Sequence, residues 1–416
     1  MKVLLINKSY QTGGAAIAAR RLWKSLLKLK VDTIFMVFDE TSVEEKNLIV
    51  LTKSLYEKLR WWFNFIFERI YFLPHEKNKS VRFAFSPAIT GKRISRHKAV
   101  QNADIIHLHW FNQGFLSLKN MEELIDLGKP LVWTLHDMWA FTGGCHYNND
   151  CLNFTGDCGK CPYLKYPGKH DLSWRILRKK KNIYSKANIT FVTCSSWLKT
   201  EAEKAAILVG KEILSIPNPI DSELYCPANR DEVRKKLNLP LERKLILFGA
   251  ANVNDPRKGI RYLLDALSHI KQTDEIEMVL FGKNGNLVAS SLPYKTNDFG
   301  LIHSVRDLVQ LYQAADLFVL PSLQDNLPNT VMESLACGTP VVAFNTGGIP
   351  EMVGHKQNGY LAKYKSSEDL ASGIEWVLSN NANNLLGKAA REKVLQCYSE
   401  KVVAEKYIQL YQTLLK

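Results

Sequence analysis

Nine short apolar runs punctuate this chain: KVLLIN, DTIFMVF, DIIHLHW, PLVWTLH, ITFVTCS, KLILFG, IEMVLFG, DLFVLP and PVVAF. Most have few alternating polar positions, as strands covered on both faces do. Helix-like stretches separate them, and strands alternating with helices imply sheets that are mostly parallel. The predicted fold class is α/β, with doubly wound Rossmann-like sheets. A chain of 416 residues is too long for one ordinary core and suggests two domains of roughly 200 residues each. The break is expected within SIPNPID, residues 215–221, where two prolines interrupt helix and strand alike. The predicted domains are therefore 1–214 and 215–398. A last helix, 399–416, carries Val402, Val403, Tyr407, Leu410, Tyr411 and Leu414 on one face.

Composition narrows the class. The 46% hydrophobic fraction is that of a soluble globular protein. No apolar run approaches the roughly 20 residues that span a bilayer. KVLLIN reads as a short strand followed by polar residues rather than a secretory leader, so a cytoplasmic location is expected. Charge is uneven: residues 1–225 hold 33 Lys and Arg against 21 Asp and Glu, while the remainder is almost balanced. A basic first half implies an anionic partner. Its aromatic stretch LYEKLRWWFNFIFERIYFLP, residues 55–74, interleaves cations with Trp61, Trp62, Phe63, Phe65 and Phe67. That mixture suits the inner face of a membrane, where amphipathic rings settle at headgroup depth. The alternative is a buried helix pair with an exposed charged side. A basic run, 175–181, adds to the positive charge. Nothing resembles a nucleic-acid-binding motif, so nucleic acid is not an expected partner.

The most informative stretch is 314–353, AADLFVLPSLQDNLPNTVMESLACGTPVVAFNTGGIPEMV. It reads as a strand (317–320), a polar loop (321–329), a helix from about 330 to 337, and a second strand. Gly338 can take the left-handed position after the helix. Such a unit presents backbone N–H groups to a phosphate at the carboxyl edge of a parallel sheet. Asp325 and Glu333 flank the turn, seven residues between them. Upstream, KLILFGAANVNDPRKGIRYLLDAL gives a strand, a polar loop and an amphipathic helix, with Arg257 and Lys258 in the loop. Gly13 and Gly14 follow the opening strand and precede a helix, 16–27, and can approach a phosphate or sugar closely.

These strings resemble the nucleotide-sugar site of the family 4 retaining glycosyltransferases. The resemblance implies a GT-B fold, two Rossmann-like domains facing across a cleft, with the last helix packing back on the first domain. By position, Glu333 matches the acid that binds ribose hydroxyls, and an ionised carboxylate suits a vicinal diol. Asp325 matches the acid that contacts the transferred sugar, where the family usually has Glu. Asn329 and Thr330 fall where backbone amides meet the pyrophosphate, and Pro328 replaces a usual Gly. Lys258 matches the phosphate-holding Lys. Asn252 stands where the companion Arg is usual, and Arg257 is the candidate to supply its charge. His136 matches the His that contacts the donor sugar, while His109, also at a strand end, is an acceptor-side candidate.

The activity implied is retaining transfer from a nucleotide-diphosphate sugar to a glycolipid or oligosaccharide acceptor in bacterial surface polysaccharide assembly. The implied path is front-face, with no enzyme nucleophile under the anomeric carbon and charge stabilisation by Lys258 and helix amides. No Asp-x-Asp triplet lies near the site, so no catalytic metal or other catalytic cofactor is expected. Two alternatives stand beside this: a non-catalytic GT-B scaffold subunit, and a GT-B nucleotide-sugar epimerase.

Cys145, Cys151, Cys158 and Cys161 lie within an insertion, 143–162. A reducing compartment disfavours disulfides, so four clustered Cys point to a structural Zn²⁺ site, with His146 as an alternate ligand, although the spacing is not that of a standard finger. Two disulfides or free thiols remain the other readings.

Overall fold

The computed structural model describes residues 1–39, 43–270 and 275–416. They form two compact units, Met1–Pro217 with Ala404–Lys416, and Asn218–Val403. In the first, β1 (Lys2–Asn7), β2 (Asp32–Val37), β3 (Leu48–Val50), β4 (Ile105–Leu108), β5 (Leu131–Leu135), β6 (Ile189–Thr193) and β7 (Ile213–Ser215) make one sheet. Its order is β3-β2-β1-β4-β5-β6-β7, and every pairing is parallel. In the second, β8 (Lys244–Asn252), β9 (Ile276–Lys283), β10 (Thr296–Asp298), β11 (Leu317–Leu320), β12 (Val341–Phe344) and β13 (Gly359–Ala362) make another. Its order is β10-β9-β8-β11-β12-β13, again all parallel. Both sheets are doubly wound, so the α/β, Rossmann-like expectation holds. Strand order reverses between β1 and β4 and between β8 and β11, where such sheets place their ligands.

All nine apolar runs are strands. Each sheet buries its inner strands on both faces: Leu4, Ile6, Leu108, Trp133 and Phe191 belong to the first core. Ile246, Leu280, Val319, Val342 and Phe344 belong to the second. The helix after β1 runs Gly14–Lys28 and starts from Gly13 at φ 93°, a backbone setting that side chains resist. Its buried row includes Ala16, Ala19, Leu22, Trp23 and Leu26. The terminal helix, Glu400–Leu414, contributes its later turns to the first unit. There the Tyr411 hydroxyl lies 2.7 Å from His107 Nδ1, and the Tyr407 hydroxyl lies 2.9 Å from Thr134 Oγ1.

The helix Leu55–Phe72 inverts the usual amphipathic rule. Its buried residues are Asn64, Glu68 and Phe72. Glu68 is fully covered and accepts hydrogen bonds from Arg69 Nη2 (2.6 Å) and the Gly114 N–H (3.2 Å). Burial raises the Glu68 pKa, and the Arg69 guanidinium opposes that shift. The opposite side carries Leu55, Tyr56, Leu59, Trp62, Phe63, Ile66, Phe67 and Ile70, exposed by 44 to 73%. A buried helix pair would have covered them, so that alternative is not what the chain adopts. Among the described residues no helix is long and apolar enough to cross a membrane.

Candidate functional site

Two loops of the second unit, one after β8 and one after β11, are tied together by charge. Arg257 Nη1 donates to Asp325 Oδ1 and Lys258 Nζ to Asp325 Oδ2, each at 2.7 Å. Arg257 Nη1 also donates to the Gln324 carbonyl, and the Leu323 N–H donates to the Arg257 carbonyl. Asp325 is only 7% exposed. Burial by itself would raise its pKa, but the neighbouring Lys258 and Arg257 cations hold the carboxyl well below its ordinary value. A Lys at a helix start opposes the helix dipole unless an anion is nearby. Here Asp325 is that anion. The loops can approach because Gly259, at φ 72°, has Pro321 O where a Cβ would stand, and Gly347, at φ 58°, has Asp325 O there.

The helix that follows the β11 loop spans Asn329–Ala336, one residue earlier than the sequence suggests. Pro328 occupies its N-cap, so Asn329 and Thr330 are its first two residues. N–H groups at those positions have no acceptor within a helix. Gly338 adopts φ 74° just past its end, and its N–H donates to the Leu335 carbonyl. Glu333 lies on this helix, 3% exposed, and its Oε2 accepts from the Tyr312 hydroxyl at 3.0 Å. Tyr312, on the helix Val305–Ala314, was not legible as a site residue, because its approach to Glu333 depends on how two helices pack.

Asn252 ends β8 beyond a bulge and accepts hydrogen bonds from the Asn254 N–H and from Asn284 Nδ2. Its register partner on β9 is Lys283, an exposed cation that the sequence reading passed over. The only hint was a Lys at the end of the run IEMVLFGK.

In the first unit, Gly13 and Gly14 form the exposed start of the first long helix. His109 and His136 follow β4 and β5 and are brought together, His109 Nδ1 lying 3.0 Å from His136 Nε2. His136 Nδ1 lies 3.5 Å from Cys194 Sγ. Burial drives all three clustered histidines toward neutrality. It lowers the His107 pKa to about 3 and the His136 pKa to about 4, and it holds His109 well below the usual range.

Cys145, Cys151, Cys158 and Cys161 line one pocket with Phe85, Phe154 and Tyr163, and none forms a disulfide. Burial pushes the Cys145, Cys158 and Cys161 thiols up to about 12. Among the described residues no group of three or more His, Cys, Asp or Glu is placed to hold a metal ion, so the zinc expectation gains no support as the thiols stand. His146, the alternate ligand expected, has both ring nitrogens engaged. Its Nδ1 pairs with Asp137 Oδ2 at 2.7 Å and its Nε2 with Ser86 Oγ at 2.9 Å. Lys180 is buried beside the cluster, donates to the Trp139 and Thr142 carbonyls and lies over the Trp139 ring. Burial lowers its pKa to about 7.

Comparison with known proteins agrees with this architecture. The model of the family described as Glycosyltransferase Family 4 matches residues 12–224, and that described as Glycosyl transferases group 1 matches 229–393. The chain belongs to glycosyltransferase family 4. It is 30% identical over 198 residues to the N,N'-diacetylbacillosaminyl-diphospho-undecaprenol alpha-1,3-N-acetylgalactosaminyltransferase of Campylobacter jejuni, covering 46% of this chain and 51% of that one. It is 25% identical over 210 residues to the UDP-Gal:alpha-D-GlcNAc-diphosphoundecaprenol alpha-1,3-galactosyltransferase of Escherichia coli, covering 48% and 54%. The matches thus span about half the length of these relatives. Among solved structures, sucrose-phosphate synthase from Thermosynechococcus elongatus aligns over 99% of this chain and 98% of its own, at 20% identity and TM-score 0.71. Anabaena HepE, solved in complex with UDP and glucose, aligns over 99% and 100%, at 17% identity and TM-score 0.66. These likenesses show the fold, the two-domain GT-B class.

The histidine cluster sets a pH dependence. Each ring takes up a proton in the unfolded chain near pH 6.5 but resists it when folded, so the stability is fully present above about pH 6.5. It should fall as pH drops toward 4, by about 1.4 kcal/mol per pH unit per histidine. Denaturant unfolding at stepped pH should show this slope, shallower in His107→Gln than in the parent.

Proposed function

We propose that this protein is a retaining glycosyltransferase that moves a sugar from a nucleoside-diphosphate donor to a lipid-linked acceptor. The observation that carries the reading is the Arg257–Asp325–Lys258 cluster, four residues before the helix that bears Glu333. A diphosphate needs cations and helix N–H groups close together, and this loop offers both. Lys258 has three ammonium protons and directs one at Asp325, so the others suit phosphate oxygens. Glu333, oriented by Tyr312, accepts from the ribose diol. Asp325 has both oxygens engaged by cations, which makes it a poor nucleophile and favours the front-face path. In that path the departing diphosphate oxygen takes the acceptor's proton as the sugar bond breaks, without a metal, and the cations stabilise the charge left behind. Both relatives named above bear names that specify a diphospho-undecaprenol acceptor, which supports a lipid-linked one here, in surface polysaccharide assembly.

The acceptor's lipid fits the inverted helix. Its exposed row of Leu59, Trp62, Phe63, Ile66, Phe67 and Ile70 enters the headgroup layer, and the basic first half supplies attraction to anionic lipid. The protein then works at the cytoplasmic membrane surface. For the cysteine pocket the reading is structural zinc: the metal would displace four thiol protons and draw the sulfurs together. Lys180, next to Cys145 and Cys158, is the counter-cation for the resulting negative charge.

Thermal shift with a panel of nucleoside diphosphates should single out one base. Glu333→Ala should weaken that ligand by about tenfold or more, and Asp325→Ala should mainly lower turnover at saturating substrates. Turnover unchanged in Asp325→Ala removes its role, and no response to any diphosphate turns the reading toward a non-catalytic scaffold. The chain should sediment with vesicles containing anionic lipid, and the double variant Trp62→Asp, Ile66→Asp should not. Equal sedimentation of both rules out this helix as the contact. Atomic emission on protein purified without added metal should find about one zinc per chain, lost in Cys158→Ser; no zinc in the parent leaves four reduced thiols.

A further inference from the structure

Among the buried polar atoms of the first unit that make no hydrogen bond, two belong to side chains that line one cavity. His109 is 2% exposed, and its Nε2 makes no hydrogen bond. Asn112, 3% exposed, has an amide nitrogen, Nδ2, that also makes none. Both side chains line the same small cavity, together with Trp110, Asp137 and Ala140. Buried polar groups are nearly always paired, so two such atoms on side chains lining one cavity suit a shared polar ligand.

The neighbours determine what the His109 nitrogen can do. His109, His136 and Cys194 are each the first residue after a strand, β4, β5 and β6, and these strands are adjacent in the sheet. The single proton of the Cys194 thiol goes to the Leu135 carbonyl, 3.4 Å away. The sulfur therefore accepts from His136 Nδ1. That leaves His136 Nε2 as a lone pair, which accepts from His109 Nδ1 at 3.0 Å. The ring of His109 is neutral, because burial holds its pKa well below the ordinary value. With its one proton on Nδ1, Nε2 is a bare acceptor.

We propose that His109 Nε2 and Asn112 Nδ2 bind one hydroxyl group, which donates to the imidazole and accepts from the amide, and that His136 and Cys194 are positioning residues that hold His109 in the accepting tautomer. The occupant is an ordered water or a hydroxyl of a bound sugar. Only the sugar depends on the glycosyltransferase reading; the tautomer does not.

Long-range proton–nitrogen correlation spectra of the full chain, labelled with ¹⁵N-histidine and assigned with His109→Gln, test this directly. The expected result is His109 protonated on Nδ1 and unprotonated on Nε2; a protonated Nε2 overturns the proposal. Cys194→Ala removes the first link and should shift His109 toward the other tautomer, and an unchanged tautomer overturns the relay. Donor and then acceptor are added next. A shift of the His109 Nε2 signal identifies a sugar hydroxyl, and His109→Phe should then lower kcat/KM at least tenfold, with partial recovery in His109→Gln. No shift, with a through-space contact to water, identifies the water. Neither response overturns the hydroxyl site. Diphosphate binding measured separately by thermal shift reports on the donor reading, so failure of one is not mistaken for failure of the other.

Discussion

Parallel strands cannot be joined by tight turns, and the rest of this structure depends on that constraint. Each strand runs out at its carboxyl end into a loop that must climb to a covering helix. Residues far apart in sequence are thereby delivered to one edge of each sheet. Arg257 and Lys258 leave β8 and Asp325 leaves β11, neighbouring strands, so the three charges meet although more than sixty residues separate them. His109, His136 and Cys194 meet for the same reason after β4, β5 and β6. The glycines that permit close approach, Gly259 and Gly347, stand where another backbone passes within the space of a Cβ.

The two clusters solve opposite electrostatic problems. Around Asp325 a buried charge is kept ionised because two cations pay its desolvation cost. Around His107, His109 and His136 burial keeps the imidazoles neutral, and they contact one another and hydroxyl or thiol partners. A charged cluster suits a phosphate-bearing ligand, and a neutral one suits hydroxyls.

The helix Leu55–Phe72 shows how a local pattern can mislead until its faces are known. From sequence, its rings and cations fitted either a membrane surface or a buried pair. The structure buries Asn64 and Glu68 and exposes the apolar row, an arrangement that solvent alone does not favour. Glu68 tolerates burial because Arg69 and the Gly114 amide satisfy it.

The α/β class, the nine inner strands and a helix beginning near Asn329 were legible in the sequence, because strands covered on both faces must be continuously apolar. The four strands it did not reveal, β3, β7, β10 and β13, are the outermost ones, three or four residues long, with little surface to cover and no long apolar run to betray them. It also placed the acids and cations of the candidate site in their loops. Who meets whom came from the packing: Asp325 is the anion facing Lys258, Tyr312 holds Glu333, His146 contacts Asp137 and Ser86, and Cys194 stands beside His136. Periodicity reports which face of an element is buried. Strand order and loop path, which bring distant residues within about 3 Å, depend on the packing of the whole sheet and leave no such local trace.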